Sequence, residues 1–580
     1  MSTKFRNAYH FIPRKEPLVA WPSYPPAAGF GKTAETEKFG HAVYAPGTLS
    51  GRIRCRVRLE QPTVIGADRH VGGQAHPDHY AVVAPFTFDG RPAIPAASLK
   101  GLISSIAEAA SQSTYRVLKD AALTVGEIVG ARSVHKETLG TVYQYVPDGL
   151  RPGRYASMAD RLFGFVRDGV APAGQLQALA GRVRISHGTL DLNPVNAPDA
   201  VYEDADPSFP PTSYEAFEGE LAKDTTRLKE LAQPMKPWTV YHNATPNMYF
   251  KDRTGASTDH ISKDAFSQTP VTPQTPPAYV VQGQKVYLHH LYKPETPDEQ
   301  PWKSRTAIND DREVKINRAT REKSSDAGRK SLVRPLRRNL EFDFEIKFDN
   351  LASDELDLLC FALRPTAAFR HKIGYGKPLG LGSVEVTPVA LDYVERGERY
   401  KSADVFSASR FALPNVLDDT PAARSTRHRL WLEGADPAAL NAITLLGETH
   451  AFGGGNHDGV PVLWVPLTDQ KYAKMLEGSG DAEGKSFRWF AKTETKKKAI
   501  YRLKPIEDGM TSIPTLQTID HEEKTAPPPA TPHASDIAAP MESPRILFEG
   551  DRVEYRIGTG KDGKLQAIDV RVIRPANSAR

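Results

Sequence analysis

The chain has 580 residues, more than one hydrophobic core usually holds, so we expect two to four structural units. Hydrophobic residues make up 39% and charged residues 25%, values typical of globular proteins, and no run of about eighteen apolar residues could span a membrane. The two cysteines, Cys55 and Cys360, exclude a disulfide framework and a cysteine zinc site. The N-terminal residues lack an apolar signal-peptide core. We therefore expect a cytoplasmic protein without a membrane partner.

The net charge of +5 is unevenly distributed. Between Arg312 and Arg338, ten basic residues stand against three acidic ones, so this segment carries +7 and the rest of the chain is slightly acidic. A local basic segment in a nearly neutral protein indicates a polyanionic partner. The alternative is a solvated, flexible loop.

The first regular pattern follows an N-terminal stretch, residues 1–45, that is rich in Pro and Gly and predicts an irregular arm. From Arg52 to Leu59, apolar residues and arginines alternate strictly, which predicts a half-buried strand with four arginines on one face. Arg52, Arg54 and their neighbours could contact phosphates. They could equally form a hydrated edge.

The next pattern begins at Ile94, where the sequence Ile-Pro-Ala-Ala-Ser-Leu-Lys-Gly precedes an apolar stripe at helical spacing. Ser98 is the residue that we expect to cap the helix. The helix N-terminus, Ser98 and Lys100 together predict a phosphate site. A purely structural cap is the alternative interpretation.

The remaining order of elements predicts the fold class. Residues 190–335 have poor periodicity and many prolines, which indicates a long insertion. An alternating strand from Glu341 to Phe348 then leads to a helix capped near Ser353. A glycine-rich loop runs into a last strand. This order predicts an α+β fold with a ferredoxin-like sheet, helices on one face and the other face free for nucleic acid, as in the RNA-recognition (RRM-like) fold.

The glycine-rich loop is a second candidate site for a polyanion. Its glycines allow main-chain amides to approach a phosphate closely, and two lysines flank them. The loop is not a nucleotide-binding P-loop, because it lacks the Gly-Lys-Ser/Thr ending. The candidate residues are Lys372, Gly374, Gly376, Lys377, Gly380 and Gly382.

Four of these elements resemble the RAMP superfamily (repeat-associated mysterious proteins). The segment from Ile94 is similar to the family's IPGSSLKG element. Leu162–Gly164 and Gly181–Ser186 are similar to its LFG and GRL motifs, and Gly374–Gly382 is similar to its terminal glycine-rich loop. They occur in the family's order over about residues 46–390. The segments around Asn7–Pro13 and Gly283–His290 resemble a type III branch with an enlarged insertion. Ala96-Ala97 departs from the family's Gly-Ser pair.

This resemblance implies an RNA-binding backbone-type subunit of a type III CRISPR effector complex, an antiviral defence system. The implied partners are guide RNA (crRNA), target RNA and other effector subunits. In that branch an aspartate in the loop after the first strand cleaves target RNA; Asp78, seven residues before Pro85, is the first candidate and Asp68 the second. Asp78 would act with Mg²⁺ or another divalent cation, and His79 or His76 would accept the proton of the attacking 2′-hydroxyl.

Two other functions stay open: a non-catalytic RNA-binding scaffold, and an endoribonuclease that processes guide RNA. Residues 396–520 form an accessory region whose motifs we cannot interpret. Residues 521–580 comprise a Pro-rich linker and a segment that faintly resembles the second half of a cold-shock (OB-like) domain, which implies a small C-terminal β-barrel. Adjacent His289 and His290 point to opposite faces of a strand, so we interpret them as structural or RNA-packing residues.

Overall fold

The structure is a computed structural model, which describes the residue ranges given at the end of this paragraph. It forms two compact units, one of residues 2–518 and one of residues 519–580 with Met1. All structural statements below concern the described residues, which are 4–15, 41, 44–70, 81–117, 122–129, 132–153, 155–167, 171, 175–190, 201–202, 229–232, 250–252, 279–289, 330–377, 380–394, 419–430, 436–448, 460, 462–463, 503–517, 552–559 and 565–574.

Strands dominate the described part of the chain, and five α-helices occur among its residues. The strands are β1 Lys4–Asn7, β2 Tyr9–Pro13, β3 Leu49–Leu59, β4 Gly66–His70, β5 Ala81–Pro85, β6 Thr87–Phe88, β7 Arg91–Ile94, β8 Ala122–Val129, β9 Arg132–Thr141, β10 Gly164–Val166, β11 Ala178–Ala180, β12 Val183–Ile185, β13 Gly188–Leu190, β14 Lys229–Ala232, β15 Phe250–Asp252, β16 Tyr279–Val281, β17 Gly283–Tyr287, β18 Lys330–Val333, β19 Glu341–Leu351, β20 His371–Lys372, β21 Ser383–Tyr393, β22 Val462–Leu463, β23 Leu516–Gln517, β24 Arg552–Thr559 and β25 Leu565–Arg574. The helices are α1 Ala96–Ala110, α2 Met158–Phe163, α3 Ser353–Leu363, α4 Pro421–Leu430 and α5 Pro437–Glu448.

The main sheet is antiparallel and is built around β3. Its strand order is β20-β21-β3-β19-β13-β7-β6, and β12 also pairs with β19. Along β3 and β19, buried and more exposed residues alternate, because successive side chains point to opposite faces. The structure is a mixture of helices and a large antiparallel sheet, as the expected α+β class requires, and the ferredoxin-like arrangement stays a prediction.

The apolar face of this sheet is covered by α1 and α3. Ile53 and Val57 of β3 and Phe342 of β19 belong to the same buried cluster as Leu99 of α1 and Leu359 of α3. Full burial of one such side chain contributes about 1.5–3 kcal/mol, so this cluster holds the helices on the sheet. The opposite face carries the arginine row of β3.

Several local predictions differ from the structure. Residues 1–45 were expected to be irregular, but they contain β1 and β2; β2 pairs with β17 over five residues. The loop after β3 contains four short strands, β4 to β7. Ser98 is not the cap of α1: the helix begins at Ala96, its N-cap is Pro95, and no side chain caps it. The cap of α3 is Ala352, one residue before the predicted position.

The insertion contributes strands to a second sheet with the order β14-β18-β5-β4. In this sheet β18 runs parallel to β5, with Leu332 opposite Val82. The segment between β4 and β5, which includes three of the predicted catalytic residues, lies outside the described residues. The second sheet therefore fixes where that segment leaves and re-enters the fold.

The accessory region packs on the main unit through α4 and α5. Arg424 of α4 is buried and donates hydrogen bonds to Asp357 of α3 at 2.7 Å and to Asp419 at 2.7 Å. The described residues of the C-terminal unit form an antiparallel pair, β24 and β25, and closure into a barrel stays a prediction. No helix in the described part of the chain is long and apolar enough to cross a membrane.

Candidate functional site

A cleft of 490 Å³ lies between α1, β17 and the loop after α3. It brings together elements that are far apart in the chain: the start of α1, the segment from Gly283 to His289, and the glycine-rich loop. Its described lining residues are Ile12, Ser98, Gly101, Leu102, Ser105, Ile106, Lys285, Val286, Tyr287, His289, Phe369, Arg370, His371, Lys372, Ile373, Gly374, Tyr375, Lys377, Ile443, Leu446 and Gly447.

The cleft has a positive lining. Four of its described lining residues are cationic and none is acidic: Lys285, Arg370, Lys372 and Lys377 carry the charge. Arg370 has a carboxylate partner, because its Nε lies 2.7 Å from an oxygen of Glu60. A concave site with cations, main-chain amides and hydroxyl groups has the chemistry of a phosphate-binding groove.

Two lysines of the cleft are held in place by neighbouring groups. Lys285 Nζ lies 4.1 Å from the centre of the Tyr9 ring and 4.8 Å from that of Tyr287, so it makes cation–π contacts with both. Lys372 Nζ donates hydrogen bonds of 3.0 Å to the carbonyl oxygens of Gly380 and Leu381. Lys372 therefore braces the glycine-rich loop from inside, and its charge remains beside the cleft.

The glycines of the loop are required by its backbone. Gly374, Gly376, Gly380 and Gly382 all have φ between 71° and 97°, a region that other residues rarely adopt. A Cβ atom on Gly382 would lie 1.9 Å from the carbonyl oxygen of Ile373. The loop is also bonded to the segment after β3, because Tyr375 N–H donates to the Val64 carbonyl at 3.0 Å. This shape holds the loop rigidly against the cleft.

The histidines beside the cleft are buried structural residues. His289 Nε2 donates to the carbonyl oxygen of Arg370 at 3.1 Å, and its Nδ1 accepts from the Ser383 hydroxyl at 2.9 Å. His371 donates to the Leu363 carbonyl at 2.9 Å, and burial lowers its pKa to about 4. Both rings are engaged with the fold, in agreement with the interpretation of His289 from the sequence; His290 lies outside the described residues.

Ser98 and Lys100, the two residues predicted to bind phosphate at the start of α1, lie differently relative to the cleft. Ser98 lines the cleft, although it does not cap the helix. Lys100 is half-buried and is not among the lining residues; burial, and then the charge of Arg116, lower its pKa. Gly376, Gly380 and Gly382 shape the loop without lining the cleft.

The arginine row of β3 lies away from the cleft and is paired with acidic side chains of neighbouring strands. Arg52 contacts Asp392 at 2.9 Å and Glu345 at 3.1 Å. Arg54 lies 3.5 Å from the same Asp392, and Arg56 contacts Asp343 at 2.8 Å. Because each arginine faces a carboxylate, this half-exposed face is much less positive than β3 alone indicates. Contact of Arg52 and Arg54 with RNA stays a prediction.

The family-like segments Leu162–Gly164 and Gly181–Ser186 lie beside a buried ion pair. Arg182 donates to the Glu355 carboxylate, and both side chains are 1% exposed. Glu355 also accepts the N–H of Ala352 at 2.9 Å, and Arg182 donates to the Asn350 carbonyl at 2.6 Å. A Cβ on Gly181 would lie 2.4 Å from the carbonyl carbon of Phe163. These motif residues join α2, β19 and the start of α3.

The predicted catalytic group lies mostly outside the described residues. Asp78, His76 and His79 are not described, and Asp68 is placed within β4 by its backbone. No group of three His, Cys, Asp or Glu side chains that could hold a metal ion occurs in the part of the chain that the structure describes. Cleavage chemistry and a divalent cation at Asp78 therefore stay predictions.

The comparisons with known proteins agree with the motifs. A sequence model of the RAMP superfamily matches residues 56–385, more than half of the chain. The chain belongs to the RAMP superfamily. This RAMP protein has no match among curated proteins. The predicted family membership is thereby confirmed.

Two solved structures with similarity to this RAMP protein come from CRISPR systems. A chain of a "Type IV-B CRISPR Complex" has 12% sequence identity and a TM-score of 0.21, covering 63% of this chain and 100% of that one. Oligomeric Cmr4 from Pyrococcus furiosus has 11% identity and a TM-score of 0.20, covering 60% of this chain and 100% of that one. TM-scores this low carry no argument about function, so the family assignment rests on the sequence match.

Sequence reasoning missed one wall of the cleft. Lys285 and Tyr287 were recognised as part of a family-like segment but not as site residues, and α5, which supplies Ile443 and Leu446, lay in a region without interpretable motifs. The amphipathic spacing of α5 could have indicated a packed helix. No local pattern could have indicated that it packs beside α1.

Proposed function

We propose that this chain is an RNA-binding subunit of a type III CRISPR effector complex that grips guide RNA and cleaves the paired target RNA. The observation that carries the proposal is the cleft, which collects Ser98, Lys372, Gly374 and Lys377 in one positive groove. Superfamily membership supports a role in a multisubunit CRISPR assembly. The strand order β21-β3-β19-β13, with two helices on one face, supports the ferredoxin-like arrangement expected for such subunits.

The proposed RNA contact has a simple physical basis. The cleft offers point charges from lysines, a rigid loop and a wall of α1 with serine hydroxyls, all suited to the backbone of a single strand. The second sheet places the ends of the Asp78 segment on β4 and β5. In the proposal, the cleft holds the guide RNA and this segment reaches the paired target.

RNA binding is tested with the full chain and a labelled single-stranded guide RNA. We expect the double substitution Lys285→Gln and Lys377→Gln to weaken binding roughly tenfold or more at physiological salt, because two phosphate contacts are lost. The matched control is Lys347→Gln, which removes an exposed lysine from the sheet face that carries the arginine row. Equal losses in both proteins would show that the cleft has no special role.

Cleavage is tested in the complex with its guide RNA and partner subunits. Labelled complementary RNA is incubated with magnesium, with wild type, with Asp78→Ala and with a chelator. Regular cuts that disappear in the variant and with the chelator support a guided, metal-dependent ribonuclease. Tight binding without cuts supports the non-catalytic scaffold, and cleavage of repeat RNA without a complementary target supports the guide-processing enzyme.

A further inference from the structure

A small aromatic stack lies at the tip of the hairpin formed by β6 and β7. The ring centres of Phe88 and His187 are 4.7 Å apart with planes inclined by 35°, and those of Phe86 and His187 are 5.4 Å apart. Phe86 packs against the main core, whereas Phe88 is 40% exposed. The stack therefore has one end fixed in the protein and one end open to solvent.

The stack is held rigidly. His187 Nδ1 accepts the N–H of Ala96, the first residue of α1, at 3.1 Å, which fixes the plane of the ring. The two residues of the turn, Asp89 and Gly90, both have positive φ, at 50° and 72°. This is the geometry of a tight two-residue turn that matches the twist of its strands. Few degrees of freedom remain to be lost when a planar group stacks on Phe88.

A cation stands opposite the exposed ring. Arg91 is exposed and pairs directly with Phe88 across the hairpin, so their Cβ atoms lie about 5 Å apart. An aromatic face next to a guanidinium group suits a nucleotide, since the base can stack while the phosphate meets the cation.

We propose that Phe88, supported by His187 and Phe86, is a stacking site for one unpaired base of the bound RNA, with Arg91 on its phosphate. This inference rests on the proposed RNA binding and names a site outside the cleft. Ala96, to which His187 is hydrogen-bonded, lies two residues before the cleft-lining Ser98, so the first turn of α1 connects the stack with the cleft.

A protein partner would require a different surface. Stable protein interfaces bury about 800 Å² on each partner and have an apolar centre. Phe88 is instead a single exposed ring between charged and glycine residues, with Asp89, Gly90 and Arg91 all exposed beside it. The residues around Phe88 therefore favour contact with a nucleotide base over contact with a protein partner.

The test uses the full chain with single-stranded RNA. We expect Phe88→Ala to weaken binding about tenfold, the effect of losing one base–aromatic stack, and Phe88→Trp to retain it. RNAs with one abasic nucleotide placed at each position in turn identify the stacked base: one position should weaken binding to wild type and have no effect on Phe88→Ala. Val389→Ala, at an exposed apolar residue of β21, is the control and should bind normally.

The outcomes separate the two proposals. Equal RNA affinity of wild type and Phe88→Ala overturns the stacking site and leaves the proposed function standing. Absence of RNA binding by wild type overturns both. A change in oligomeric state on light scattering with unchanged RNA affinity shows that Phe88 contacts protein, and this too overturns the stacking site. Unchanged thermal unfolding of Phe88→Ala confirms that the variant is folded.

Discussion

Removal of the Glu355 charge should destabilise the protein strongly. Glu355 lies between Arg182, with which it shares a buried ion pair, and Arg161, whose Nε is 3.3 Å from the same carboxylate. Glu355→Gln keeps the size but leaves the Arg182 guanidinium charged and buried, and the amide has one oxygen acceptor where the carboxylate uses two. Breaking such a pair from one side costs about 3–5 kcal/mol, against a total stability of roughly 5–15 kcal/mol.

The measurement is urea unfolding followed by circular dichroism, with the free energy obtained by linear extrapolation. Glu341→Gln is the control, because its pair with Arg56 at 3.0 Å is 39% exposed on both sides and should contribute about 0–1 kcal/mol. The double substitution Arg182→Met with Glu355→Met should recover most of the loss, since no buried charge is then left alone.

Two results would refute this reasoning. A loss below about 1 kcal/mol for Glu355→Gln would mean that water or another group compensates Arg182. A double variant as unstable as the single one would mean that the hydrogen bonds to Ala352 and Asn350, not the unpaired charge, account for the effect.

Three further predictions concern the pH response, the loop and the cleft. Burial raises the pKa of Asp160 to about 7, although hydrogen bonds from Thr114 and Ser157 oppose this shift, so the folded state keeps a proton that the unfolded state releases near pH 4. The free energy of unfolding should therefore fall as the pH rises from about 4 to 7. Asp160→Asn should remove most of that fall, which urea titrations at several pH values measure. Gly382→Ala should lower the thermal midpoint and the RNA affinity, whereas Gly47→Ala, with positive φ but open space, should cost about 1 kcal/mol and leave binding intact. Lys377→Gln should reduce the slope of the logarithm of the RNA association constant against the logarithm of the salt concentration by about 0.7. RNA binding measured at a series of salt concentrations tests this, and an unchanged slope would exclude a phosphate contact.

The predictions that succeeded rest on local physics. Alternation along β3 and β19 is set by the period of a strand, so the buried faces were readable from the sequence. The glycine-rich loop needs its glycines because all four that were named have positive φ, whereas close approach of its amides to a phosphate stays a prediction. Where a residue's role is determined by its neighbours in the chain, the sequence was sufficient.

The predictions that failed depend on partners distant in the chain. Ser98 looked like a helix cap because a hydroxyl stands before an apolar stripe, but the helix begins at Ala96 after the N-cap Pro95, and the imidazole of His187 accepts the N–H of Ala96. His187 lies 91 residues away from Ala96, so no local pattern could reveal it. Strands within the first 45 residues were hidden for the same reason, because β2 finds its partner in the insertion.

The arginine row shows why charge must be interpreted in three dimensions. On β3 alone, four alternating arginines favour a phosphate-binding face, but the two neighbouring strands supply Glu341, Asp343, Glu345 and Asp392 on the same face. The cleft is built differently: its lysines come from distant positions between 285 and 377, and none of its described lining residues is acidic. An RNA strand is attracted by the potential that remains after neighbouring charges cancel. The arginines of the row each face a carboxylate, whereas the lining of the cleft combines cations with serine hydroxyls and main-chain groups. The cleft, together with the aromatic stack at the start of α1, is therefore the surface on which RNA contacts should be sought first.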